Sequence, residues 1–255
     1  MSFSNYGELC TEVYELTKEI GHSLSGDIEF YQNKLKSYNG KVLEGMVGSG
    51  RVLIPLLEAG IKIDGADYSA EMLAACRKHC AERGLSTNLY ESNLQELSLP
   101  QQYEAIIIPG GSFLLIEERN QSIEALRKLY AHLQPGGKLI LDLFLPEPDF
   151  DVSKGGEVST FHLPEGDLIT MERKLVEVNF LEQYKVYYLK YEKWRNGNLL
   201  QTELQRFAMR WYGVKEFKLL LADIGFQDIQ VYADYDENKA PSDAQQIFVY
   251  EATKK

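Results

Sequence analysis

Lys41-Val42-Leu43-Glu44-Gly45-Met46-Val47-Gly48-Ser49-Gly50-Arg51 is the stretch whose reading decides the fold. An apolar strand runs through Glu44 into a glycine-rich turn, and the apolar-periodic segment from Val52 to Ala59 reads as the helix that follows. In an open α/β sheet, such a turn is where a nucleotide-like ligand meets a helix N-terminus. Glycines there allow close backbone approach and positive φ at little steric cost. The turn alone does not name the ligand; the segments around it do.

Downstream, strand and helix alternate. Ile61 to Ala66 reads as a second strand ending at Asp67, and Ser69 caps a helix whose inner face carries Met72, Leu73 and Cys76. Thr87 to Tyr90 and Ala105 to Ile108 read as further strands, the latter stopped by Pro109-Gly110-Gly111. A helix from Glu118 to Leu133 precedes a Pro135-Gly136-Gly137 turn and a fifth strand, Lys138 to Leu143. Upstream, residues 1–40 read as two helices forming an N-terminal cap, the second capped by Asp27.

After Pro146 the rhythm changes. Met171 to Phe180, Tyr184 to Trp194 and Leu199 to Trp211 read as antiparallel strands, with Asn196-Gly197 as a hairpin turn. A helix over 214–224 ends at Gly225, and two closing strands, Asp228 to Ala233 and Gln246 to Glu251, complete the chain. The expectation is an α/β fold with a doubly wound, mostly parallel seven-stranded sheet and an antiparallel β insertion after strand five. Residues 41–148 and 211–255 would form its core, and 149–210 the insertion, within one continuous domain.

With 27 Lys plus Arg against 38 Asp plus Glu, the formal net charge of −11 argues against a nucleic-acid partner. No apolar run approaches the roughly 18 residues of a membrane span. The N-terminus lacks the basic and apolar regions of a signal peptide, and three cysteines do not suggest a disulfide framework. A cytoplasmic setting is expected.

A dinucleotide turn would need glycine where Leu53 stands, so a nucleotide-dependent oxidoreductase is disfavoured. With Glu44, Gly48 and Gly50, the turn instead resembles the first motif of class I S-adenosylmethionine-dependent methyltransferases. Met46 occupies the position of that motif's first glycine; it either reshapes the turn or weakens cofactor binding, with Gly45 as the neighbouring glycine. Asp67-Tyr68-Ser69-Ala70-Glu71-Met72-Leu73 resembles the family's second segment, which implies that Asp67 accepts the ribose hydroxyls of an adenosyl group. Glu91-Ser92-Asn93-Leu94 follows strand three, where the family meets the adenine amino group; Asn93 is either that acceptor or an ordinary turn residue. Pro109-Gly110-Gly111-Ser112-Phe113 resembles the strand-four exit beside the methionine moiety and the acceptor, and Leu133 to Lys138 resembles the family's turn before strand five.

Within the family the chain is similar to bacterial small-molecule enzymes of the sugar and glycine N-methyltransferase type, whose β insertion roofs the pocket. The resemblance implies Glu44, Gly45, Met46, Gly48, Gly50, Asp67, Tyr68, Met72, Asn93, Leu94 and Pro109 as the cofactor set. It implies Tyr14, Tyr31, Ser112, Phe113, Arg210 and Tyr212 as a substrate pocket, each alternatively a packing residue. If a general base is used, Tyr14, His22 and His162 are the candidates. The implied activity is methyl transfer from S-adenosylmethionine to a nitrogen or oxygen of a small molecule. The alternative is a non-catalytic binding or regulatory protein on the same fold. Cys76, His79 and Cys80 share a helix without a second ligand cluster, so no metal site is expected.

Overall fold

The structure is a computed structural model, described here for residues 6–255. Its centre is β1 (Val42–Gly45) and β2 (Ile63–Asp67), every residue of which is buried, as strands covered on both faces require. β1 pairs in parallel with β2 and with β4 (Tyr103–Ile108), β2 with β3 (Leu89–Glu91), and β4 with β5 (Leu133–Phe144). β11 (Ile247–Lys254) joins β5 antiparallel, and β10 (Phe226–Ala233) joins β11 antiparallel. The sheet has seven strands in the order β10-β11-β5-β4-β1-β2-β3. The order reverses between β1 and β4, and ligands bind beyond the strand C-termini at such a switch point.

Two apolar cores lie on the sheet. One packs α2 (Asp27–Leu35), α3 (Leu53–Glu58) and α4 (Ala70–Glu82), through Tyr31, Leu53 and Leu73. The other packs α5 (Arg119–His132) and α6 (Val214–Ile224), through Leu126, Leu129 and Phe217. Cys76 and Cys80 are buried thiols in the first core.

The insertion is a second, four-stranded antiparallel sheet of β6 (Glu157–His162), β7 (Leu168–Asn179), β8 (Tyr184–Arg195) and β9 (Asn198–Arg210). Asn196 and Gly197 have φ of 51° and 77°, the left-handed pair that a two-residue hairpin turn demands. A third core, with Leu9, Val13, Ile169 and Leu189, lies between this sheet and α1 (Glu8–Thr17). The Glu203 carboxylate on β9 accepts from the amides of Leu9, at 2.9 Å, and Cys10, which ties the first turn of α1 to the insertion. Glu15, farther along α1, pairs with His79 of α4 on the core side.

Three expectations are corrected. Asp27 is not a cap: Gly26, at φ 90°, precedes α2, and Asp27 is its first residue, buried against Arg51. β5 starts five residues early, because Leu133 pairs with Tyr103 before Pro135-Gly136-Gly137 bulges out and Lys138 resumes opposite Ala105. β6 was not expected; it is an edge strand with mostly exposed residues, so its sequence lacks a buried face.

Candidate active site

The turn after β1 and the cap of α4 meet at Asp67. One carboxylate oxygen accepts the Gly48 amide at 2.9 Å and the other the Ser69 amide at 2.9 Å. Burial raises the Asp67 pKa, opposed by those amide bonds. The Ser69 hydroxyl accepts the Met72 amide at 3.2 Å, which makes Ser69 the cap of α4. Met46 has φ 58°, the conformation glycine would supply, so the turn keeps its shape and the side chain bears the strain.

Two cavities open at the C-terminal ends of these strands. One, of about 530 Å³, is bordered by Asp67, Tyr68, Asn93, Leu94, Glu117 and Arg206. The other, of about 520 Å³, reaches from Glu44, Arg51 and Lys18 to the inner face of the insertion sheet. Met46, Tyr6, Leu115, Gln205 and Phe207 border both, so the cavities adjoin, with Met46 in the shared wall.

Carboxylates dominate the ground beneath them. Glu44 is 3% exposed and its Oε2 has no hydrogen-bond partner among the described residues. Burial pushes its carboxyl well above the usual range, opposed by the nearby Arg51 and reinforced by Asp27 and Asp67. Arg51 is locked by Asp27, at 2.5 Å and 3.2 Å, and by the His22 carbonyl at 2.8 Å. The strand-four exit is fixed by Asp142 of β5, which accepts the amides of Gly110 at 3.1 Å and Gly111 at 2.7 Å and the Tyr31 hydroxyl at 2.7 Å. Burial raises the Asp142 carboxyl to about 6. Asp27 and Arg51 neutralise each other as a pair, and burial favours the neutral form of Glu44 until a cation supplies a partner for its carboxylate.

Of the residues read from the sequence, Glu44, Met46, Asp67, Tyr68, Asn93, Leu94 and Pro109 border the cavities, as do Tyr14 and Ser112. Gly48 has φ 55°, and a Cβ there would meet nothing within 4 Å, which leaves the cradle open. Gly50, at φ 94°, and Gly45 are packed from behind, by Cys76 Sγ and Leu94 Cδ2 respectively. Met72 is core.

Four expected pocket residues are elsewhere. Tyr31 is fully buried on Asp142, and Phe113 packs against Phe217 and Tyr212. Tyr212 bonds Ser122 at 2.6 Å, and Arg210 donates to the Glu117 carbonyl at 2.7 Å. Each is drawn in by an aromatic cluster or a buried partner. His22 and His162 have exposed side chains that do not line either cavity. Tyr14 does line one, and burial raises its pKa, opposed by the nearby Arg51. Sequence reasoning missed Asp27, Arg51, Asp142 and Gln205. A lone aspartate inside the buried run Leu139-Ile140-Leu141-Asp142-Leu143 was the available signal for one of them.

Residues 42–137, from the first strand to the bulge of β5, match a family described as a methyltransferase domain. The chain carries a methyltransferase domain. The chain is 28% identical over 230 residues to the glycine/sarcosine N-methyltransferase of Halorhodospira halochloris, an alignment that covers 89% of this chain and 80% of that protein. Among solved structures, the CcbJ methyltransferase of Streptomyces caelestis is similar with a TM-score of 0.75 at 20% identity, over 99% of this chain and 98% of that one. The sugar N-methyltransferase KedS8 of Streptoalloteichus sp ATCC 53650 gives 0.70 at 18% identity, over 98% and 96%. The methyltransferase domain and its insertion together have the fold of S-adenosylmethionine-dependent methyltransferases, as the glycine turn and Asp67 segment imply.

Proposed function

We propose that the protein is an enzyme that transfers a methyl group from S-adenosylmethionine to a nitrogen or oxygen of a small organic molecule. The observation that carries this reading is the buried Glu44 carboxylate, whose Oε2 has no hydrogen-bond partner among the described residues, at the charged end of one cavity that adjoins another bordered by Asp67. An ammonium group would give Glu44 its missing partner, and ribose hydroxyls suit the Asp67 oxygens. Tyr68, Asn93 and Leu94 would border the adenine, with Arg51 and Lys18 near the carboxylate of the amino-acid tail. Gly48 leaves room for close approach.

S-adenosylmethionine supplies a methyl already activated by a sulfonium. The protein then contributes placement and dryness. The insertion sheet and α1 cover the cavity that Glu44 and Arg51 border, Asp142 holds the Gly110-Gly111 amides in place, and Met46 marks the joint between the two chambers. Neither histidine candidate reaches the cavities, which supports an acceptor that arrives deprotonated. The acidic surface supports a small molecule over a nucleic acid, and three free cysteines support a reducing compartment.

Calorimetric titration with S-adenosylmethionine and S-adenosylhomocysteine tests the reading. Failure of folded protein to bind either would sink it. A second reading, a binding protein without turnover, rests on Met46 occupying the shared wall. It gains if both ligands bind but methyl transfer to an amine and alcohol library is undetectable by mass spectrometry.

A further inference from the structure

The cavity that Glu44 and Arg51 border is polarised along α1. That helix rises about 1.5 Å per residue, so Cys10 lies about 12 Å from Lys18 along the roof. Lys18 is at the end with Glu44 and Arg51; Cys10 is under the insertion sheet. Here the wall is made by Phe161, Met171, Leu189, Phe207 and Met209, from all four insertion strands.

Two polar side chains from those strands interrupt it, Tyr191 and Gln205. The Tyr191 hydroxyl is 3.2 Å from Gln205 Oε1 and 3.4 Å from Cys10 Sγ, and Cys10 Sγ is 3.3 Å from the same Oε1. Gln205 is 1% exposed and Tyr191 3%. With the carbonyl limb of the Gln205 amide engaged by Cys10 of α1 and Tyr191 of β8, the NH2 limb is the one left for a ligand. Gln205 borders both cavities, which puts that donor near their joint.

No charged side chain lines the cavity from these strands among the described residues. A glycine-like acceptor would find no cation here for its carboxylate. An unsubstituted sugar would press several hydroxyls against Phe and Met side chains without partners, at about 1–3 kcal/mol each. We infer that the acceptor carries its amine or hydroxyl on an apolar, ring-sized body with one hydrogen-bond-accepting oxygen, and that Gln205 selects that oxygen. Cys10 and Tyr191 are positioning residues that hold the Gln205 amide in this orientation. This rests on the methyl-transfer reading, since it assigns the charged end to the donor's amino-acid tail.

The test uses protein saturated with S-adenosylhomocysteine and a matched pair of probes, 4-methoxyphenethylamine and 4-ethylphenethylamine, which differ by one oxygen for one methylene. Glycine is the third arm, and affinities come from calorimetry. The methoxy probe should bind about threefold to tenfold more tightly than the ethyl probe, the worth of one hydrogen bond. That preference should vanish in Gln205→Met and Gln205→Glu and shrink in Tyr191→Phe, with S-adenosylhomocysteine affinity retained in each. Equal binding of the two probes, a preference that survives Gln205→Met, failure of both probes to bind, or tighter binding of glycine overturns the inference. Loss of S-adenosylhomocysteine binding by the unaltered protein overturns the methyl-transfer reading instead.

Discussion

Gly48 and Gly50 sit two residues apart in one turn, both with left-handed backbones, yet a methyl group added to each should have different consequences. At Gly48, φ is 55° and an added Cβ meets nothing within 4 Å. Gly48→Ala therefore carries backbone strain of about 1–2 kcal/mol, partly offset by about 0.4–1 kcal/mol from the stiffened unfolded chain. At Gly50, φ is 94° and the Cβ would lie 2.8 Å from Cys76 Sγ and 3.1 Å from Ile54 Cδ1. Overpacking then adds about 1–3 kcal/mol, so Gly50→Ala should cost about 2–4 kcal/mol in all. Urea unfolding of both variants at constant m-value measures the difference. Cys76→Ala removes the nearer obstacle, so the Gly50→Ala/Cys76→Ala pair should be more stable than the sum of its singles by about 1 kcal/mol. Gly48→Ala should instead show its larger effect in weakened S-adenosylhomocysteine binding. Equal destabilisation by the two alanines, with no coupling to Cys76, would refute the reasoning.

Asp142, raised from 3.8 to about 6 by burial, holds a proton in the folded state that the unfolded chain has already released. Stability from this group should fall by about 3 kcal/mol as pH rises from about 4 to about 6. Urea midpoints across that range should show the slope reduced in Asp142→Asn. Asp27→Ala leaves the Arg51 guanidinium buried without its carboxylate, so unfolding free energy should drop by about 3–5 kcal/mol; a drop under 1 kcal/mol would contradict the geometry. Glu44, held well above its ordinary pKa by burial, should lose its proton when an ammonium docks. Calorimetry in buffers of different ionisation enthalpy should then detect proton release on S-adenosylhomocysteine binding, affinity rising with pH, and both effects absent in Glu44→Gln. Met46→Gly relieves about 1–2 kcal/mol of strain against about 0.5–1 kcal/mol of added chain entropy and some lost packing. Its stability should change little while S-adenosylhomocysteine binds more tightly; weaker binding would make Met46 a contact instead of an obstruction.

The parallel sheet was legible because its strands are short apolar runs bounded by glycine, proline or a capping serine. β6 was not, since Glu157–His162 lies on an exposed edge and shows no buried face. Pro135-Gly136-Gly137 read as a turn because its glycines and proline carry that signal whether the chain reverses or bulges. In the site, Glu44, Asp67 and Asn93 were readable from their places after strands, where topology gathers ligand contacts. Arg51 with Asp27, and Asp142 with Gly110, are partners 24 and 32 positions apart, and no local pattern joins them. Tyr31 and Tyr212 show the converse. A tyrosine suits a pocket and a core equally, and the buried partners Asp142 and Ser122 decide between them.

The bond from Leu9 to Glu203 closes a loop of 194 positions. At about 5–20 residues per second, the ribosome makes β9 roughly 10 to 40 s after α1. α1 must therefore wait for the last strand of the insertion before the Leu9 and Cys10 amides meet the Glu203 carboxylate. The same separation serves the finished molecule. α1 is held to β9 by Glu203, to β8 by the Lys193–Glu12 pair and to α4 by the Glu15–His79 pair, so it is tied down through side chains and shares no backbone ladder with either sheet.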